Sequence, residues 1–313
     1  MKPASELTPE LRAFVEFVAK KGRELYRDLP WRRTYDPYAI WISEVMLQQT
    51  QVSRVDGRWQ RWLERFPTVD ALAAAAPSDV LEEWQGLGYN RRALSVHRAA
   101  QAISEAGGIF PQDPKELVKL PGIGPATAAG IRAFAFNLHG VYLETNVRTV
   151  FLHELYPQAE GVPDSELVPL VELTCPASVE DAADVADAAN VANADSTANA
   201  DETELTPRSW YYALLDYGAY LKKTIPNPSR RSKSHVKQSR FEGSHRQKRA
   251  ELLRVLLAHK DEGGAVFETL HQELCQIEVN AGRETLDEQV TLGLLEELAK
   301  EGFCQKNDEY WLP

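Results

Sequence analysis

The stretch LPGIGPATAAGI, residues 120–131, decides the fold prediction. Gly122 and Gly124 allow a tight turn between two helices, because glycine adopts backbone angles that other residues avoid. The residues after the turn favour a helix, and the backbone N–H groups at its start can bind a phosphate. This helix-hairpin-helix pattern is typical of attachment to a DNA strand without reading its base sequence. A plain turn between two helices is the alternative.

The sequence around this stretch has a helical pattern. Between Asp36 and Tyr156, short amphipathic segments are separated by prolines and glycines that mark their ends. Near the start, Thr8 is suited to cap a helix and Pro9 to occupy its first position. No long segment alternates with a period of two, so the predicted fold class is mainly α.

Composition limits the class of protein. The chain has 313 residues, of which 43% are hydrophobic and 26% charged, as in a soluble globular protein. It lacks an apolar run of the roughly 18 residues that span a membrane and an apolar signal core near Met1, which predicts a cytoplasmic protein without a membrane partner. The net charge of −11 disfavours DNA as a partner overall, but it can hide a local basic face.

The three cysteines, Cys175, Cys275 and Cys304, are scattered along the chain. Their odd number and spacing argue against a disulfide framework and indicate a reducing compartment. Three thiols are also too few for a metal site or cluster that needs four thiolates. We therefore predict no metal.

Two neighbouring segments differ sharply in charge. Residues 176–206 are rich in Ala, Asp and Asn and predict a disordered acidic insertion, with a regulatory acidic arm as the alternative. Residues 222–249 then carry ten lysines and arginines against one acid, Glu242. Such a segment either contacts phosphates, with Lys233 and Lys237 as candidate DNA-binding residues, or is a solvated linker.

The last part of the chain, residues 247–313, is predicted to be a small separate module. Its leucines recur at helical spacing, and residues 303–312 predict a hairpin with its turn at Asn307-Asp308. Three helices and a hairpin resemble a winged-helix unit of the α+β class. Because its last helix is acidic, packing or partner binding is favoured over DNA binding.

Two glutamates stand in unusual surroundings. Glu44 interrupts an apolar helix, where burial would raise its pKa and make it a proton donor near neutral pH. Glu144 follows an apolar run and opens a helix, where it could serve as a capping carboxylate. Two such carboxylates can also cleave a glycosidic bond, since one protonates the leaving group and the other stabilises the sugar cation. A surface glutamate and a simple cap are the alternatives.

Five ordered segments together resemble the helix-hairpin-helix (HhH-GPD) DNA glycosylases, and within them the A/G-specific adenine glycosylases of the MutY type. The segments are WISEVMLQQTQV (41–52), FPTVDALAAA (66–75), GLGY (86–89), LPGIGPATAAGI (120–131) and LETNVRTV (143–150). The resemblance covers about residues 29–156, and more faintly 210–221.

The resemblance implies a two-domain helical glycosylase fold. Residues 31–149 would form a six-helix core with the hairpin, and residues 1–30 with 150–225 a second helical domain. Residues 226–246 would be a basic linker, followed by the winged-helix-like module at 247–313.

The resemblance also implies roles for single residues. Glu44 falls where the adenine-specific branch carries its general acid, and Glu144 where the superfamily carries a catalytic aspartate. Gln49 and Tyr89 fall where side chains wedge into the DNA stack, and Gln48 is placed with them as a DNA-binding residue. Gly122 and Gly124, also counted as DNA-binding, belong to the phosphate-binding hairpin.

The chain departs from the family pattern at several positions. Ala126 stands where lyase members carry a Schiff-base lysine, which predicts a monofunctional enzyme. The four cysteines of the family's iron–sulfur cluster are absent, so no cofactor is expected. Glu144 replaces the usual aspartate, Asn90 replaces a second aromatic residue after GLGY, and the domain that inspects oxidised guanine is missing.

The resemblance thus predicts a DNA glycosylase of base excision repair. It would hydrolyse the N-glycosidic bond of a flipped-out base, adenine opposite 8-oxoguanine or guanine, as a monomer on double-stranded DNA with a mismatch or lesion, associated with a bacterial nucleoid. The alternatives are thymine or uracil opposite guanine, an alkylated base, or a non-catalytic protein that binds DNA lesions.

Overall fold

The computed structural model describes residues 7–178, 205–235 and 240–313. The predicted mainly helical class is confirmed. The helices α1 to α15 are Pro9–Glu24, Pro37–Leu47, Val52–Val55, Arg58–Arg65, Val69–Ala73, Pro77–Glu83, Arg91–Glu105, Pro114–Leu117, Pro125–Phe136, Thr145–Glu154, Asp164–Thr174, Pro207–Thr224, His245–Ala258, Phe267–Asn280 and Glu288–Glu301. Of the predicted acidic insertion, residues 179–204 lie outside the described residues.

Helix starts follow local chemistry. The Thr8 hydroxyl accepts the N–H of Leu11 at 3.3 Å, and Pro9 occupies the first position of α1, as predicted. Thr206 and Ser209 bond each other's backbone N–H at the start of α12, which satisfies two donors that the helix leaves open.

Contacts divide the chain into two units. The first unit comprises Met1–Glu44 and Phe110–Lys237, and the second comprises Val45–Ile109 and Gln238–Pro313. The domain boundaries predicted from the family resemblance stay a prediction.

The first unit is built around α12. Trp210 and Leu214 are fully buried, and the ring of Phe14 from α1 packs edge-on against Trp210 with centroids 6.1 Å apart. The buried carboxylate of Asp216 accepts from the guanidinium of Arg32 at 2.7 and 2.8 Å. Because a buried charge needs a partner, this ion pair holds the segment before α2 against α12.

The second unit combines α4–α7 with α13–α15 and a three-stranded sheet. The strands Ala265–Val266, Gln305–Asn307 and Tyr310–Leu312, here β1 to β3, pair antiparallel in the order β1-β3-β2. Asn307 pairs with Tyr310 around Asp308, whose φ is +52°, so the predicted terminal hairpin is confirmed. Lys260 bonds Asp79 at 2.6 Å and joins the C-terminal helices to α6.

Among the described residues, we find no helix with both the length and the apolar character that crossing a membrane requires.

Candidate active site

Glu44 lies near the end of α2, a helix whose neighbouring side chains Trp41 and Ile42 are fully buried. Glu44 itself is half-buried. The pKa of Glu44 is raised to about 7, chiefly by burial and also by the charge of Glu144, while a hydrogen bond from Tyr142 opposes the shift. Near neutral pH, a large share of Glu44 is therefore protonated and able to donate.

Tyr142 holds the carboxyl group of Glu44 in place. Its hydroxyl donates to Glu44 Oε2 at 2.9 Å. Burial and the neighbouring carboxylates raise the pKa of Tyr142 well above its ordinary value, so the hydroxyl keeps its proton. The Tyr142 ring packs edge-on against Phe134 and Tyr211. The backbone N–H of Tyr142 donates to the Tyr211 hydroxyl at 3.1 Å.

Gly130 in α9 leaves the space that the carboxyl group occupies. A Cβ at this position would lie 2.5 Å from Glu44 Oε2 and 2.9 Å from a ring carbon of Tyr142. Both distances are shorter than non-bonded contacts allow. A Cβ at this position would therefore force the side chain of Glu44 or Tyr142 to shift, although alanine is the better helix former.

Glu144 caps α10, as one interpretation of the sequence proposed. Its Oε1 accepts the N–H groups of Asn146 at 2.7 Å and Val147 at 3.4 Å. Burial raises the pKa of Glu144, whereas these N–H groups and the positive charge of Lys222 lower it. Lys222 also donates to the Asn146 side chain at 3.0 Å. The capping role does not remove Glu144 from the site, since its charge acts on Glu44.

The sequence analysis identified both carboxylates but missed Tyr142 and Gly130. A tyrosine in an apolar run and a glycine in an Ala-rich helix are ordinary in sequence. Only their proximity to Glu44 gives them a role. That proximity cannot be predicted from the spacing of residues along the chain.

Tyr142→Phe is expected to move the pH midpoint of the Glu44 titration upward. The hydroxyl stabilises the ionised form of Glu44, so its removal raises the pKa of the acid above about 7. We expect a shift of about one pH unit, which corresponds to about 1.4 kcal/mol for a hydrogen bond to a carboxylate. An NMR titration of the Glu44 carboxyl carbon between pH 5 and 9 would measure it.

Tyr217→Phe is the matched control, because Tyr217 donates in the same way to Glu154, elsewhere in the first unit. It should leave the midpoint unchanged. A midpoint that moves equally in both variants, or in neither, would contradict the role of Tyr142.

The predicted phosphate-binding hairpin is exposed at the start of α9. Gly122 has a φ of +77°, in the left-handed region that favours glycine. Gly124 precedes Pro125, and the helix begins without a side-chain cap or an acidic residue in its first turn. A helix start without an acidic residue or a capping side chain suits a phosphate at the positive end of the helix. Ala126 is exposed on the same turn.

The residues predicted to wedge into DNA lie on two turns of the second unit, and Arg92 holds both. Gln49 and Tyr89 are exposed, with φ values of +54° and +51°. The Arg92 guanidinium donates to the carbonyl of Gln48 at 2.6 Å and to that of Gly88 at 2.8 Å. Burial lowers the pKa of Arg92 to about 10. The sequence analysis did not single out this arginine.

The basic segment is partly anchored in the first unit. The Lys233 side chain is exposed, while its N–H donates to the carbonyl of Val162 at 2.9 Å. The Arg231 side chain donates to the carbonyl of Leu152, in the last turn of α10, at 2.8 Å. Arg231 therefore stabilises the packing of the basic segment against α10. Lys237 lies outside the described residues.

The cysteines do not fit the four-thiolate cluster that the family resemblance implies. Cys175 belongs to the first unit, while Cys275 and Cys304 belong to the second. Burial raises the pKa of Cys304 to about 12, which disfavours the thiolate that a metal would require.

Residues 42–168 match the model of the HhH-GPD superfamily base excision DNA repair proteins. Over 136 residues the chain is 46% identical to the adenine DNA glycosylase of Mycolicibacterium smegmatis, covering 43% of this chain and 46% of the relative. It is 39% identical over 134 residues to the human adenine DNA glycosylase, covering 40% of this chain and 24% of the relative. The matches thus span about half or less of the curated relatives.

A solved structure titled as a thermostable thymine-DNA glycosylase has a similar fold. The TM-score is 0.55 with 20% sequence identity, over 70% of this chain and 90% of the other. Residues 42–168 are therefore similar to the HhH-GPD superfamily base excision DNA repair proteins, and the curated relatives that match this part of the chain are named adenine DNA glycosylases.

Proposed function

We propose that this protein is a monofunctional DNA glycosylase of base excision repair. The observation that carries the proposal is the pair of half-buried carboxylates, in which Glu44 has a pKa of about 7 and Glu144 lies close enough to act on it. A pair with separated roles is the arrangement that glycosidic bond cleavage uses. The HhH-GPD domain that contains both residues supports it.

The chemistry follows from the two environments. Protonated Glu44 donates to a ring nitrogen of the base, so that the electrons of the breaking bond to C1′ pass to a neutral leaving group. The Glu144 carboxylate stabilises the positive charge that develops on the sugar. Water then adds to C1′ and loses a proton, which restores the acid.

DNA binding is assigned to the exposed elements. Flipping a base out of the duplex costs a few kcal/mol, and Gln49 and Tyr89, with Gln48 beside them, would fill the gap. The backbone at Gly122 and Gly124 would hold a phosphate. Because Ala126 cannot form a Schiff base, we propose hydrolysis without strand cleavage and without a cofactor, by a monomer acting on chromosomal DNA in the cytoplasm.

Adenine opposite 8-oxoguanine or guanine is the favoured substrate, because the curated relatives are named adenine DNA glycosylases. A second candidate is thymine or uracil opposite guanine, or an alkylated base. The replacement of the family aspartate by Glu144, which is longer by one methylene, favours it. A protein that binds lesions without cleaving them is the non-catalytic alternative.

A single-turnover base-release assay, followed by alkaline cleavage of abasic sites, tests the proposal. The duplexes would contain adenine opposite 8-oxoguanine, adenine, thymine or uracil opposite guanine, and alkylated bases. Release of adenine would support the favoured substrate. Release of another base would support the second candidate, and binding without release of any base would support the non-catalytic alternative. Strand breaks before alkali would contradict the monofunctional assignment.

Lys233→Ala is expected to weaken binding to all DNA sequences alike. A lysine that contacts a phosphate releases about one counterion, so the slope of log K against log salt should fall by about 1. Lys20→Ala, which removes an equally exposed charge from α1, is the control. If the slope of log K against log salt is the same for both variants and the unmodified protein, the basic segment is a solvated linker.

A further inference from the structure

One exposed arginine of the second unit lies within reach of two aromatic rings. The guanidinium carbon of Arg246, in the first turn of α13, lies 5.4 Å from the ring centroid of Phe241 and 6.0 Å from that of Tyr89. All three side chains are exposed, Tyr89 by 40% and Phe241 by 47%. We call these three residues the aromatic–arginine cluster.

The cluster is held by its backbone. The carbonyl of Gly88, next to Tyr89, accepts from Arg92 at 2.8 Å and from the indole N–H of Trp84 at 3.1 Å. The carbonyl of Phe241 accepts the N–H of Ser244 at 3.1 Å, and Ser244 caps α13. Both rings therefore stand on fixed turns and present apolar surface to solvent, at a cost that a bound partner would remove.

The surrounding charge indicates the chemistry of that partner. The first turn of α13 contains no acidic residue, although the positive end of a helix favours acids. Lys248 lies on the same helix. The nearest acid in sequence, Glu242, is paired with Arg240 at 3.3 Å, and Glu297 of α15 lies 3.2 Å from His245 and 3.5 Å from Arg249. Two exposed aromatic rings beside an arginine are suited to bind nucleic acid, because bases stack on aromatic rings and phosphates pair with arginine.

We propose that the aromatic–arginine cluster is part of the DNA-binding surface, in which Arg246 contacts a backbone phosphate and Tyr89 and Phe241 stack on bases next to the lesion. The inference rests on the proposed function, and it extends the DNA-binding surface to the last part of the basic segment, at the start of α13. Helix α13 then contributes to DNA binding directly, whereas the acidic last helix of the predicted C-terminal module suggested only packing.

Equilibrium binding by Phe241→Ala and Arg246→Ala tests the proposal, measured across salt concentrations. The probes are an intact duplex and the same duplex with one tetrahydrofuran abasic analogue. Phe241→Ala should weaken binding to the abasic duplex about tenfold, as expected for the loss of one stacked base, with an unchanged salt slope. Arg246→Ala should lower the salt slope by about 1 on both duplexes.

Arg254→Ala is the matched control, because it removes an exposed arginine from the same helix, where Arg254 pairs with Glu251 at 2.8 Å. It should bind both duplexes like the unmodified protein, and thermal melting would verify that all three variants fold. If Phe241→Ala and Arg246→Ala bind like Arg254→Ala, the proposal is overturned. Base release by the unmodified protein tests the proposed function separately, so either can fail while the other stands.

Discussion

Glu44→Gln is expected to lower the single-turnover rate of base release by about 10²–10⁴-fold, the contribution of a positioned general acid. Glutamine keeps the size of the side chain but carries no acidic proton. Because the substitution changes neither the proposed wedge residues nor the phosphate-binding hairpin, DNA binding should be retained. The base-release assay and a binding titration with the same duplex would measure the two effects.

The same variant has an expected effect on stability. Burial raises the pKa of Glu44 from 4.5 to about 7, so the folded state binds this proton more tightly than the unfolded state does. The stabilisation from the protonated form is complete below about pH 4.5 and is lost as the pH rises through about 7. Between pH 5 and pH 8, Glu44→Gln should gain about 2 kcal/mol in free energy of unfolding relative to the unmodified protein.

Glu154→Gln is the matched control, since Glu154 is the tyrosine-bonded glutamate elsewhere in the first unit. It should leave base release unchanged. If Glu44→Gln is fully active on any base, Glu44 is not the general acid.

Gly130→Ala is expected to lower base release by about 100-fold, because the added Cβ would lie 2.5 Å from Glu44 Oε2. The carboxyl group must move by about 1 Å or lose the Tyr142 hydrogen bond, and a displacement of that size can cost about 10² in rate. Without this contact, alanine would stabilise the helix by about 1 kcal/mol. Activity and thermal unfolding of the variant would separate the two effects.

Gly293→Ala is the control for the helix itself, since Gly293 lies inside α15 and a Cβ there meets nothing within 4 Å. It should be stabilised and fully active. Adding Glu44→Ala to Gly130→Ala should restore the part of the stability that the contact with Glu44 removes, leaving the contact with Tyr142, and a double-mutant cycle would measure that part. An active Gly130→Ala protein would show that the carboxyl group is not confined by α9.

Much of the fold could be predicted because its determinants are local. The cap at Thr8, the glycine turn before α9 and the terminal hairpin each depend on residues within a few positions of one another. Glu44 and Glu144 stood out for the same reason, as carboxylates inside apolar runs.

The groups that tune the site could not be predicted in this way. Tyr142 meets Glu44 across 98 positions of sequence, and Arg92 reaches the Gln48 carbonyl across 44. Neither contact has a periodicity or a spacing that marks it. The burial that raises the pKa of Glu44 is likewise a property of the packed unit.

The sequence by itself determined the helical class, the hairpin and the two candidate carboxylates, because backbone propensity, capping and apolar periodicity act over short distances along the chain. Only the tertiary structure decided that the pKa of Glu44 rises to about 7, that Gly130 leaves room for its carboxyl group and that Tyr142 holds that group. Desolvation and close approach depend on which distant segments pack together, and that information lies in three dimensions.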